Sequence, residues 1–283
     1  MRVDCEGCAG CCVDWRTLGP VAEHERDGAH RPLDDVYNLV PLSRDDVHAL
    51  LDAGLADATT PRLWTADEGP SVTVDGHDIA AIDGKPVFFL GLRKVPKPVA
   101  PFDTDPQWLP TCVFLDPETL QCRVHDAEPY PEECAAYPGS NLALGAQTEC
   151  ERVEETMGGE RLLDRTPPSD ADGPLVGPQA VGQKVFVYPE ADALTGIVDR
   201  AARQALTAED RARFVAAAAA GSPGTTETDE THYETALERA RAADSWAGRA
   251  IASWTDRAET ADPDPELGRE VEDERGAPPT PGW

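Results

Sequence analysis

Eight cysteines carry the chemistry this sequence offers: Cys5, Cys8, Cys11, Cys12, Cys112, Cys122, Cys134 and Cys150. Four of them fall in the stretch CEGCAGCC at 5–12, four more lie between 112 and 150, and the remaining residues of the 283 contain none. A Cys-x-x-Cys spacing lets two thiolates converge on one ion across a tight turn, and Cys5/Cys8 and Cys8/Cys11 both have it. Gly7 and Gly10 can take the backbone conformations such a turn needs. Soft thiolates select zinc, iron or iron–sulfur clusters. Adjacent side chains such as Cys11 and Cys12 diverge unless the backbone turns sharply, so the first group is not expected to form a four-thiolate site by itself. Some of its thiols should join thiols from 112–150. Closing that loop of about a hundred residues costs only a few kcal/mol, because the cost grows logarithmically with length, and metal binding offsets it.

Two other uses of cysteine remain open. Structural disulfides are unusual in a reducing compartment, and a thioredoxin-like pair needs only two thiols. Neither explains an adjacent pair flanked by two Cys-x-x-Cys spacings. His125, at Cys122-x-x-His125, has a zinc-ligand spacing; it is either a ligand or a neighbour that packs beside the thiols. His24 and His30 lie in a polar stretch, His48 and His232 on expected helices, and His77 in an expected strand, so they form no constellation. The His and carboxylate set of a catalytic zinc site is missing, which argues against metal-assisted hydrolysis, and no catalytic residue stands out.

Several elements must position these thiols. Residues 40–54, VPLSRDDVHALLDAG, predict a helix capped by Ser43 with Asp46, buried along Val47, Leu50 and Leu51 and closed by Gly54. Residues 71–95 contain two Asp-Gly steps between β-branched and aromatic runs and predict a three-strand meander. PKPVAPFDTDPQWLP then predicts a proline-broken loop. Cys112–Leu115 is a short strand, Asp116-Pro117 a turn, and PEECAAYPG a short helix with Pro131 at its first position and Pro138-Gly139 as its stop. Residues 164–181 are a loop and 184–189 a strand, followed by helices near 191–206, 208–220 and 230–259, with Trp246 and Trp254 as packing residues. Residues 261–283 lack periodicity and are rich in Pro, Asp and Glu, which predicts disorder. The expected fold class is therefore α+β. A small irregular metal-stapled domain occupies 1–160, with a loosely patterned insertion at 13–110 that holds the meander. A connection at 161–190, a helical appendage at 191–260 and an acidic tail follow.

The formal net charge is -28, from 53 acidic and 25 basic residues, and only four of the basic ones are lysines: Lys85, Lys94, Lys97 and Lys184. Such self-repulsion opposes compaction in dilute buffer; an acidic, lysine-poor surface is the composition of a haloarchaeal protein adapted to molar salt. No basic stripe is available to neutralise phosphates, which excludes a nucleic-acid partner. No run of 18 apolar residues provides a membrane span, and the start of the chain lacks the apolar stretch of a secretory signal, so a cytoplasmic protein is expected.

The order Cys-x2-Cys-x2-Cys-Cys, then Cys112 with an apolar pair, then CRVHDAEPYPEECAAYP at 122–138, then Cys150-Glu-Arg resembles the YkgJ-type cysteine-cluster family, described as zinc- or iron-chelating. The resemblance spans about 1–155, and each of the eight cysteines has a counterpart. It implies that most of them bind Zn2+ or iron, with an iron–sulfur cluster as one form, in a protein whose cellular role and protein partner stay undefined. Two departures stand out. The glycine usual after the second cysteine is Ala9, with glycine at Gly10 instead. The arginine usual before the proline is Glu128, so a positive charge that could neutralise a cluster is absent there. The flagellin lysine methylases resemble this family through a similar cysteine cluster, which makes an iron–sulfur enzyme the alternative. No glycine-rich cofactor loop is present, and Cys5/Cys8/Cys11 is not a C-x3-C-x2-C spacing.

Overall fold

The structure, a computed structural model, describes residues 1–20, 30–125, 127–168 and 177–281. Its strands are β1 (Arg2–Val3), β2 (His30–Pro32), β3 (Thr59–Ala66), β4 (Ser71–Val74), β5 (His77–Ile82), β6 (Lys85–Leu92), β7 (Lys94–Val99), β8 (Gln107–Cys112), β9 (Leu162–Asp164) and β10 (Phe186–Val187). Its helices are α1 (Arg44–Asp52), α2 (Glu132–Ala136), α3 (Gly139–Leu144), α4 (Glu149–Met157), α5 (Ile197–Ala202), α6 (Ala208–Ala220), α7 (Glu230–Arg241), α8 (Trp246–Ala258) and α9 (Pro265–Glu274). The α+β class holds. No helix among the described residues is long and apolar enough to cross a membrane. His24 and residues 169–176 of the expected loop lie outside the described residues.

The meander forms as its turns dictate. Asp75 and Gly76, then Asp83 and Gly84, all take positive φ, the mirror-image turn that suits the twist of a hairpin. β4, β5 and β6 follow in antiparallel register. β3, absent from the sequence-based expectation, is a central strand of this six-stranded sheet: Thr59–Leu63 pairs with β6, and its far end pairs with β2 and β5. The stretch read as a proline-broken loop is instead the hairpin of β7 and β8, with Pro96 opposite Pro110 and Pro98 opposite Trp108. In an antiparallel pair the opposed residues alternate between bonded and non-bonded positions. Two prolines that face each other cannot exchange N–H bonds, so Pro96 and Pro98, two apart, both occupy non-bonded positions, where a missing N–H costs the ladder nothing.

The helical region is not an appendage. α6 lays Phe214, Val215 and Ala216–Ala219 against the sheet; the Phe88 and Phe214 rings are 4.9 Å apart. Ile251 and Trp254 of α8 and Val271 of α9 join the same core as Leu50 of α1 and Leu63 of β3. Trp254 is fully buried and Trp246 partly so, as packing residues should be. The expected capping box forms at Ser43/Asp46, and a second one at Thr207/Asp210 starts α6. The acidic tail expected to be disordered contains α9, capped by Asp264. The reason is electrostatic, since Glu272 is fully buried between Lys97 and Arg123. A second, smaller core of Cys8, Val13, Trp15, Tyr37, Leu115 and Val153 with their neighbours lies under the cysteines.

Candidate metal centre

The short β1–β9 pair anchors the start of the chain, and Asp4 N donates to Arg161 O at 2.7 Å. The next eight residues wind tightly: Cys8 N bonds Cys5 O at 3.1 Å, and both Cys12 N and Val13 N bond Ala9 O, at 2.8 and 3.0 Å. The left-handed conformations fall on Gly7 (φ 63) and Ala9 (φ 51), not on Gly10. Ala9 therefore holds the left-handed position directly after Cys8, with the strain a Cβ brings there. Gly10 is needed for space, because a Cβ would stand 2.6 Å from Val153 Cγ2. Val153 shares its face of α4 with Cys150, three residues earlier. Gly10 thus lets the first cysteine group press against the helix that carries the last cysteine.

Closure onto the second group uses the backbone itself. Cys112 N donates to Cys12 O at 2.8 Å, Val13 bridges Thr111, and Asp14 N donates to Pro110 O at 2.7 Å. The N-terminal segment is an extra edge on β8. The strand expected over 112–115 is instead a turn, in which Leu115 N bonds Cys112 O at 3.0 Å. Leu115 then bridges Cys122, and Arg123 N bonds Phe114 O at 2.9 Å, which folds Cys122 back toward Cys112. Cys134 sits on α2, whose N-cap rather than first residue is Pro131. Cys150 sits in the first turn of α4, fixed by the Thr148/Glu151 capping box.

The result is that all eight cysteines, and His125 with them, line one cavity of about 760 Å³ whose remaining walls include Leu39, Val40, Leu120 and Tyr137. All eight are free thiols. Cys11 and Cys12 do not diverge: the sharp turn at Ala9–Val13 leaves their sulfurs 3.8 Å apart. Among the described residues no group of three or more His, Cys, Asp or Glu side chains is arranged to hold a single ion. The thiols line the walls of one chamber. His125 N bonds Cys122 O at 3.2 Å, and its ring packs 5.1 Å from that of Tyr130. His30, His48, His77 and His232 do not line the chamber.

Burial pushes the thiols up: Cys5 to about 12, Cys8 to about 11, Cys122 to about 12, and Cys134 and Cys150 further. Cys112 goes the other way. The Cys12 thiol donates to it and, despite burial, the Phe114 amide and the ammoniums of Lys97 and Lys94 help bring it down to about 6. Cys11 is likewise held down by Cys12, which is itself pushed well up.

Groups the sequence reading passed over support this wall. Lys97, fully buried, donates to Val113 O and Leu115 O, both at 2.7 Å, and pairs with Glu272 at 2.5 Å. Arg123 bonds Glu272 at 2.7 Å, Asp273 at 3.0 Å and Pro278 O at 2.9 Å, and pairs with Asp116 at 3.4 Å. The turn between Cys112 and Cys122 is therefore tied to the C-terminal helix by buried charges. Next to Cys150, Glu149 accepts from Trp15 Nε1 at 2.7 Å and Tyr37 Oη at 2.6 Å, which fixes the first turn of α4. The one sequence signal of this support was the pair Lys94 and Lys97 in a chain with four lysines. No spacing rule reads it.

The chain matches, over residues 1–283, the family described as Family of unknown function (DUF7531), and it belongs to that family. No curated protein and no solved structure matches it. The family match runs through the C-terminal helices, beyond the 1–155 of the cysteine-cluster resemblance.

Proposed function

We propose that this member of the family chelates zinc or iron through most of its eight cysteines, in a centre of more than one metal atom, with an iron–sulfur cluster as one form. The observation that carries this reading is the single chamber of about 760 Å³ onto which all eight thiols open, although they come from separate segments of the chain. The donor set fits the group, since thiolates are the ligands of both zinc sites and iron–sulfur clusters. Eight thiolates exceed the four that one tetrahedral ion takes, which suits more than one metal atom. Bound iron–sulfur would supply electron transfer; bound zinc would supply cross-linking. The chain's part is to exclude water with the apolar walls and hold the Cys112–Cys122 turn through Lys97, Arg123 and Glu272. Anaerobic purification in high salt, followed by metal and acid-labile sulfide analysis, tests the reading. A brown protein with sulfide supports the cluster, and a colourless one with about two zincs per chain supports four-thiolate sites. Protein without metal and with its cysteines paired would refute both.

One observation favours a second reading. Cys112, held at about 6 and hydrogen-bonded to Cys12, has the low value of a redox thiol. A Cys12–Cys112 disulfide on mass mapping of the natively purified protein would support thiol redox chemistry. The methylase alternative requires S-adenosylmethionine binding, and no binding at equilibrium would remove it.

A further inference from the structure

Lysine is scarce in this chain, and two of its four lysines lie on β7, the partner of the strand that ends at Cys112. Lys94 is directly opposite Cys112. Opposed residues of an antiparallel pair put their side chains on the same face of the ribbon. The surroundings of the two ammoniums differ. Lys97 has two carbonyls and the Glu272 carboxylate. The Lys94 Nζ is also buried but has no hydrogen-bond partner among the described residues. It lies 5.8 Å from the centre of the Tyr37 ring. A ring face does not offset the desolvation of a buried ammonium. Burial pulls the Lys94 ammonium down, and among the groups whose charge works against that are Cys12, Cys112, Cys11 and Asp14. Asp14 is already engaged by Arg16, at 2.6 and 2.8 Å. The sulfurs remain as the counter-charge.

We infer that Lys94 is a positioning residue whose ammonium compensates the negative charge of the thiolate centre beside Cys11, Cys12 and Cys112. This inference rests on the chelation reading. Four thiolates around one divalent ion leave about two negative charges uncompensated by the metal. A compact ammonium held dry beside them stabilises that excess, whereas the metal-free protein, in which most of the thiols are pushed up and Cys112 is brought down, offers it less counter-charge. The same side chain therefore favours the loaded state over the empty one, an asymmetry that a packing role does not produce.

The test uses the full chain, reduced and metal-free in high salt, titrated with zinc against a chromophoric chelator. Wild type, Lys94→Gln and Lys94→Arg are compared, and the thermal midpoint of each metal-free protein is measured. The expected result is unchanged zinc stoichiometry for Lys94→Gln with affinity at least tenfold weaker, substantial recovery in Lys94→Arg, and a metal-free Lys94→Gln at least as stable as wild type. Wild-type affinity in Lys94→Gln would overturn the inference. So would a metal-free Lys94→Gln that is less stable or fails to fold, since that is the mark of a packing role. If wild type holds neither zinc nor iron with acid-labile sulfide, the chelation reading fails and takes this one with it.

Discussion

At Gly10 a side chain would collide with Val153, and one residue earlier Ala9 accepts a left-handed backbone. These neighbours make opposite predictions. Ala9→Gly relieves the strain of a Cβ at positive φ and should raise stability by about 0.5 kcal/mol. Gly10→Ala forces the cysteine loop off α4 and should cost about 1–3 kcal/mol, with a fall in bound metal as Cys150 parts from the loop. Denaturant midpoints in high salt and metal content per chain check both; a stabilising Gly10→Ala would contradict the packing described. The grouping of the eight cysteines was legible because spacing shows in a sequence. Their supports were not. Gly10 was read as a conformational glycine because the type of a residue does not say whether it is needed for its φ or for its size. Lys94, Lys97 and Glu272 were passed over because a buried charge looks like any surface charge until its partners, more than a hundred residues away in the case of Glu272, are in place.

Among the elements, α9 is the one whose removal should matter beyond its size. It contributes one buried apolar side chain, Val271, and Gly268 where a Cβ would strike Pro117 and Pro98 at 2.9 Å, so no apolar periodicity announces it. Its hold is the Glu272 carboxylate. Removing one partner of a buried ion pair costs about 3–5 kcal/mol. Glu272→Gln should therefore destabilise the protein by about 3 kcal/mol and lower metal content by freeing the Cys112–Cys122 turn; a variant with wild-type stability and metal would contradict that role. α1, α6 and the meander were legible because capping boxes and Asp-Gly turns are local. β7 and β8 were not, because the prolines that argued against strands sit where the ladder needs no N–H. A pH effect belongs to α6. Burial alone would raise the Asp210 carboxyl, but Arg200 and the amide and hydroxyl of Thr207 outweigh it and bring Asp210 down to about 2. A carboxyl lowered in the folded state stabilises above its unfolded value and loses that contribution as pH falls through the folded one. Urea midpoints should fall between pH 4 and 2, and Asp210→Asn should flatten that decline; an equal slope in the variant would remove Asp210 as its cause.

For the whole molecule, the charge of -28 makes a prediction about solvent. Transfer from molar to low salt should expand the chain and melt its helices as screening is lost; retained helicity and compact size without salt, by circular dichroism and light scattering, would contradict the adaptation. The division into a cysteine domain and a helical appendage failed at this scale because α6, α8 and α9 share the core of the meander, and contacts of that range leave no periodic trace in the chain. The two cores remain distinct in what holds them. The larger is closed by aromatic and alanine packing; the smaller has Cys8 among its members and the thiol chamber above it. If the eight thiols hold one centre, native alkylation with mass mapping of each cysteine will show it. In protein purified without oxygen, Cys5, Cys8, Cys11, Cys12, Cys112, Cys122, Cys134 and Cys150 should resist alkylation together and become reactive together once a chelator removes the metal. Equal alkylation before and after chelation would contradict the claim.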